Sequence, residues 1–184
     1  MNNVMLNDIS EVFFSEEQLD EITTRIGKQI SEDFEGKKLM LICVLKGSIM
    51  FMSDLMKKIS IPCSIDFLAA ESYGSSTKSS GEVRITKDIA CDIRGYNVII
   101  VEDILDSGRT LKKLIHFLSM KEPESISVCT LLDKPSRRVV DVYPRYVGSL
   151  VEDQFVVGYG LDYNQKYRNL PFIGILKPEA INKD

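Results

Sequence analysis

The sequence predicts an α/β fold in which helices cover a mostly parallel sheet. Apolar runs the length of buried strands recur at 39–45, 97–105 and 126–132, and stretches of helical spacing lie before and between them. Strand and helix therefore alternate through the middle of the chain, the pattern of a parallel sheet with helical crossovers. The 184 residues suit one domain with a real core, and no internal repeat, biased linker or second core divides residues 1–184.

Taken in order, Ser15-Glu16-Glu17-Gln18 has the form of a capping box. Leu19, Ile22, Ile26, Ile30 and Phe34 follow mostly four apart, one apolar stripe of a helix. Residues 39–45 are apolar throughout, as in a strand buried on both faces, and Lys46-Gly47-Ser48 ends the run. Met52, Leu55, Met56 and Ile59 return to helical spacing, and 65–70, after Pro62, reads as a strand. Residues 71–82 hold Ser, Thr and Gly with almost nothing to bury, so a mobile surface loop is expected. Alternation resumes over 83–89, the returning arm of a hairpin. Residues 97–105 form a second buried strand, and 110–118 a helix with Leu111, Leu114, Ile115 and Leu118 on one side. A third buried strand covers 126–132, and short strands are expected at 155–159 and 172–176.

Composition excludes several classes. Hydrophobic residues make up 44% and charged ones 27%, the balance of an ordinary globular protein. The run at 39–45 is far too short to cross a bilayer, so no membrane partner is expected. Asp8, Glu11 and Glu16 come early with no basic-then-apolar segment, so no secretory leader is expected. A net charge of −4 argues against a general nucleic-acid binder. It leaves room for a small anion held by a few cations and backbone N–H groups. Cys43, Cys63, Cys91 and Cys129 are widely spaced and read as free thiols, two of them inside strands, in a reducing compartment. A cytoplasmic domain of enzyme size is the expectation.

Open sheets bind ligands beyond the carboxyl ends of their strands, and the chemistry-bearing residues fall there. Residues 98–111 run from a buried strand through Glu102-Asp103 to Asp106-Ser107-Gly108-Arg109-Thr110 and into a helix. Gly108 permits a tight bend. The Ser107 and Thr110 hydroxyls and the N–H groups at the helix start could cradle a phosphate. Two carboxylates ending an apolar strand are costly to desolvate without a partner, which a sugar diol or hydrated Mg²⁺ would supply. Taken singly, Asp106 could merely cap the helix, and Glu102 and Asp103 could be solvated strand-end acids.

Together, Val-Glu-Asp-Ile-Leu-Asp-Ser-Gly-Arg-Thr over 101–110 resembles the phosphoribosyl-pyrophosphate signature of type I phosphoribosyltransferases. It is distinct from a Walker loop, whose pattern is missing. The resemblance runs through nearly the whole chain and is nearest to bacterial hypoxanthine-guanine phosphoribosyltransferases, in which the position of Asp106 is an aspartate. It implies that family's fold, with a small hood built from the chain ends and a mobile lid at Ser72, Tyr73 and Gly74. By the same resemblance, residues 102, 103 and 106–110 hold 5-phosphoribosyl-1-pyrophosphate, and Asp106 takes the proton of the purine ring nitrogen. Leu45-Lys46-Gly47-Ser48 resembles the pyrophosphate loop, often with a cis Leu-Lys peptide, so Lys46 and Gly47 are expected at the diphosphate with Arg168.

Lys134, in Leu131-Leu132-Asp133-Lys134, matches the lysine that donates to a 6-oxo group, an acceptor in hypoxanthine and guanine but an amino donor in adenine. The segment 155–164 matches the family's closing segment. There Phe155 stacks on the base, Val156 meets its edge through backbone, and Asp162 reaches Mg²⁺, which Glu102 and Asp103 also serve. Arg137 and Arg138 read as loop charges and His116 as non-catalytic. The resemblance further implies hypoxanthine and guanine as substrates, Mg²⁺ as cofactor and a dimer or tetramer. A xanthine-preferring enzyme and an RNA-binding regulator on the same fold are the rival readings, the second disfavoured by the acidic balance.

Overall fold

The computed structural model describes residues 4–72 and 83–181. A 3-10 turn (Val4–Asp8) leads into β1 (Ile9–Phe14). Helix α1 (Glu16–Asp33) opens on the expected capping box. The Gln18 N–H donates to Ser15 Oγ at 3.3 Å, and the Ser15 N–H to Gln18 Oε1 at 2.9 Å. Then come β2 (Leu39–Leu45), α2 (Ile49–Lys58), β3 (Cys63–Ser72) and β4 (Val83–Lys87). The second half holds β5 (Asn97–Leu105), α3 (Arg109–Ser119), β6 (Ser125–Asp133), β7 (Tyr146–Leu150), β8 (Val156–Val157), β9 (Ile173–Leu176) and the short α4 (Pro178–Ile181).

Six strands form the main sheet in the order β4-β3-β2-β5-β6-β7. All its pairings are parallel except β3 with β4, the predicted hairpin. Residues on the central strands β2 and β5 are buried on both faces, which is why their sequences are apolar without alternation. Leu39, Leu41 and Cys43 face α1 and α2, meeting Leu19, Ile26, Phe51 and Leu55. Met40, Ile42 and Val44 face α3, meeting Leu111, Leu114 and Leu118. From β2 the chain moves outward to β3, then returns to place β5 on the other side of β2. That reversal opens a crevice beyond Leu45 and Leu105, the switch point where open sheets take ligands.

A second, three-stranded antiparallel sheet (β1-β9-β8) forms the hood, and it does draw on both chain ends. Ser10 Oγ donates to the Ile175 carbonyl at 3.0 Å across 165 residues of sequence. The hood has a small apolar cluster of its own, with Val157, Tyr167, Leu170, Leu176 and Ala180, which corrects the expectation of no second core. Strands β1 and β7 were not expected, and the strand expected at 155–159 is only the two residues of β8. The backbone turns there with positive φ at Gly158, Tyr159 and Gly160. Ser72 ends β3 opposite Val83, while Tyr73, Gly74 and the rest of the expected loop lie outside the described residues. Cys43 and Cys129 are buried free thiols, whereas Cys63 is half-buried and Cys91 exposed. Among the described residues no helix is long and apolar enough to cross a membrane.

Candidate functional site

Four segments meet at the switch point: the turn after β2, the end of β5 with the start of α3, the end of β6, and residues 155–168. The first turn begins with a cis Leu45–Lys46 peptide, as expected. Gly47 lies so close to Asp103 that a Cβ there would sit 1.6 Å from Asp103 Oδ2. A Cβ on Gly160 would come 2.0 Å from the Gly47 carbonyl oxygen. Three segments thus interlock through two hydrogens where other residues carry a methyl group.

Glu102 and Asp103 are half-buried at the end of β5. Burial pushes the Glu102 carboxyl well above the usual range, and the neighbouring Asp103 charge adds to this. Its Oε2 is buried and has no hydrogen-bond partner. Asp103 is pushed up to about 6 by burial, against hydrogen bonds from backbone N–H groups and the positive charge of Arg168, while Asp162 pushes it further up. Its Oδ1 accepts the Ile104 N–H at 2.7 Å. Such a pair asks for a cation or a diol. Among the described residues no three acidic, His or Cys side chains converge into a metal cage. The donor set therefore fits a hard, hydrated cation that takes most of its oxygens from a ligand and water.

Asp106, Ser107 and Gly108 form a turn, with Gly108 at φ +79 directly before α3, whose start has no side-chain cap. The Arg109 N–H makes only a long 3.5 Å bond to Ser107 Oγ, and the first N–H groups of α3 lie at the positive end of the helix dipole. Asp106 accepts the Arg137 Nε at 3.1 Å. Arg137 also donates to Asp153 Oδ2 at 3.0 Å, and Asp153 Oδ1 lies 3.5 Å from Lys134 Nζ. Lys134 is only 8% exposed and donates to the Gln154 carbonyl at 2.7 Å. Phe155, next along, is 47% exposed and meets Tyr163 edge-on at 5.6 Å, so its ring is free to take a flat partner. Val156 holds its place in the hood by pairing with Ile175.

Arg168 closes the far side. Its Nη2 lies 2.7 Å from Asp162 Oδ1 and 3.3 Å from Gln165 Oε1, and its Nη1 donates to the Gly160 carbonyl at 2.7 Å. Its Nε is buried without a partner. Lys46 Nζ donates to the same Gln165 Oε1 at 3.3 Å, so the two cations expected at the diphosphate share one acceptor. A separate concavity of about 650 Å³ beside α1 and α2 is lined by Glu16, Asp20, Asp54 and Tyr159 but by no lysine or arginine, an unsuitable seat for phosphate.

Sequence reasoning missed Gln165 and Asp153, and it misjudged Arg138. Far from a loop charge, the Arg138 side chain is 12% exposed and pairs with the equally buried Asp133. Its partners lie up to 33 residues away, so no local pattern announces it. Arg137 is exposed but takes part in the site through Asp106. His116 is exposed on α3, away from these groups.

Comparison with known proteins adds names to this geometry. A family model described as a phosphoribosyl transferase domain matches residues 15–164. A curated hypoxanthine-guanine phosphoribosyltransferase of Staphylococcus aureus is 49% identical over 176 residues, covering 96% of this chain and 98% of that one. A crystal structure of a hypoxanthine phosphoribosyltransferase from S. aureus matches with a TM-score of 0.94 at 49% identity, covering 98% of each chain. A hypoxanthine-guanine phosphoribosyltransferase from Bacillus anthracis, with HEPES in its active site, gives 0.88 at 48%, covering 92% of this chain and 99% of that one.

Proposed function

Since the chain belongs to the hypoxanthine-guanine phosphoribosyltransferases, we propose that it salvages purines by joining hypoxanthine or guanine to 5-phosphoribosyl-1-pyrophosphate. The products are IMP or GMP and diphosphate. The observation that best supports this is the convergence at one crevice of a phosphate turn, a carboxylate pair with a buried unpartnered oxygen on Glu102, and a buried lysine beside an exposed aromatic ring.

In this reading the Asp106–Thr110 turn and the start of α3 take the 5′-phosphate. Lys46, Gly47 and Arg168 take the diphosphate, with Lys46 and Arg168 leaving Gln165 to do so. Anchoring both ends of the sugar makes the reaction effectively intramolecular. Glu102, Asp103 and Asp162, acting through water where they do not converge, would hold Mg²⁺, which would neutralise charge on the departing diphosphate. Glu102 and Asp103 hold the ribose hydroxyls. As the C1–O bond breaks, its electron pair leaves with diphosphate, and the cationic sugar is stabilised by the surrounding carboxylates. The purine stacks on Phe155, meets the Val156 backbone and accepts from Lys134 at its 6-oxo group. An unprotonated ring nitrogen bonds to C1 while the proton on the ring's other nitrogen passes to Asp106, whose Oδ1 is held by Arg137.

The reading takes residues 1–184 as one catalytic domain working in the cytoplasm as a dimer or tetramer, an assembly that light scattering would test. The function itself is tested by offering hypoxanthine, guanine, xanthine, adenine and uracil separately with phosphoribosyl pyrophosphate, with Mg²⁺ or with chelator. Metal-dependent product from hypoxanthine and guanine is expected. Product chiefly from xanthine would move the specificity, and no product from any base would sink the reading.

A further inference from the structure

We infer that Arg138 is a positioning residue for the phosphate turn, an inference that rests on the function proposed above. Its guanidinium donates from Nε to the Asp106 carbonyl at 2.9 Å and from Nη2 to the Leu105 carbonyl at 3.4 Å. Nη1 donates to the Val142 carbonyl, and Nη2 also meets the Asp133 carboxylate at close range. One planar fork thus ties the last residue of β5, the first residue of the turn, the end of β6 and the segment after it. Its aliphatic stem underlies Gly108, where a Cβ would lie 3.0 Å from Arg138 Cδ and 3.0 Å from Val140 Cγ2. The Val139 N–H adds a bond to the Ser107 carbonyl at 3.1 Å.

The Leu105 and Asp106 carbonyls that Arg138 holds share planar trans peptides with the Asp106 and Ser107 N–H groups, which point the opposite way. Fixing the carbonyls therefore fixes where the N–H groups point. Lysine could keep the charge near Asp133 but could not bridge three carbonyls with one rigid group. The neighbouring side chains argue for a brace and against a ligand. Asp133 neutralises the guanidinium, and Arg138 lines a concavity of about 590 Å³ with Lys112, Pro135 and Tyr143.

The test compares wild type, Arg138→Lys and Arg138→Ala in steady-state assays with phosphoribosyl pyrophosphate and hypoxanthine, with folding followed by circular dichroism. Loss of charge-assisted bonds to the turn is expected to raise KM for phosphoribosyl pyrophosphate about tenfold or more, and KM for hypoxanthine by no more than about twofold. Because the side chain borders an open concavity, millimolar guanidinium should recover part of the loss in Arg138→Ala and leave wild type unchanged. Arg138→Lys should remain impaired although charged. The inference is overturned if kcat falls only in proportion to the folded fraction with both KM values unchanged, if guanidinium restores nothing, or if Arg138→Lys behaves as wild type. Should Arg138→Ala fail to fold, the lysine variant decides alone. A wild-type chain that makes no nucleotide would overturn the functional reading instead, a separate result.

Discussion

Replacing Gly47 by alanine should separate catalysis from stability. The added carbon would sit 1.6 Å from Asp103 Oδ2 and 2.6 Å from its Cγ. Non-bonded carbon and oxygen do not approach below about 3 Å, so the carboxylate must retreat by roughly 1.4 Å. Asp103 can do this by rotating its side chain, at the cost of the 2.7 Å bond from the Ile104 N–H, worth about 1 kcal/mol. That lowers the melting temperature by only about 2–4 °C in a chain of this size. A displacement of about 1 Å at a reacting centre costs on the order of 10²-fold in rate, or about 2.7 kcal/mol of transition-state stabilisation. Gly47→Ala should thus lose about a hundredfold in kcat/KM for phosphoribosyl pyrophosphate while unfolding almost as wild type does. Paired kinetics and calorimetry check this. A kcat/KM within about threefold of wild type would refute the argument that Gly47 exists to let Asp103 in.

Three further outcomes are expected. Asp106→Asn keeps the size of the side chain but cannot take a proton, so kcat should fall by about 10² to 10⁴ with KM values little changed; unchanged kcat would end the general-base assignment. Lys134→Met keeps the stem and removes the donor, so KM for hypoxanthine should rise about tenfold or more while discrimination against adenine shrinks; base competition assays would show otherwise if Lys134 only braces Gln154. Asp66 concerns stability alone. Burial pushes its carboxyl up, but N–H groups of Cys91, Phe67 and Ala90 more than offset this and hold it below its ordinary 3.8. A carboxyl lowered on folding stabilises above its unfolded value and loses that contribution as pH falls through its folded value. Asp66→Asn should therefore cost about 1–3 kcal/mol at pH 7, with the gap to wild type closing below about pH 4; denaturant melts at both pH values that show a constant gap would contradict it.

What could be read before any coordinates follows from how local each signal is. The capping box, the buried strands and the hairpin return each declare themselves within ten residues or so, and all formed. Strand β1 did not, because Ile9–Phe14 is half-exposed and its partner is at the other end of the chain. At the site, residues 101–110 are contiguous and were legible as a unit. Their supports were not. Arg138 looks like any charged loop residue until the chain folds it beneath Gly108, and Gln165 matters only because Lys46 and Arg168 come to either side of it. A resemblance can transfer the residues that touch ligand, whereas a brace is visible only in three dimensions.

The hood, finally, imposes a schedule on biosynthesis. Strand β1 leaves the ribosome before the other described strands, yet the strand it pairs with, β9, is made some 165 residues later. At about 5–20 residues per second, that leaves an interval on the order of 10–30 s in which β1 has no partner. The strands of the main sheet end at Leu150, so their pairing can form during that wait, while one face of the core still awaits Tyr159, Leu161 and Ile173. Phe155, Asp162 and Arg168, by contrast, lie on segments fixed only when the last strand arrives. The nascent chain should thus pass through a stage that is folded at the centre but cannot yet act on its substrates, with competence conferred when β9 joins β8.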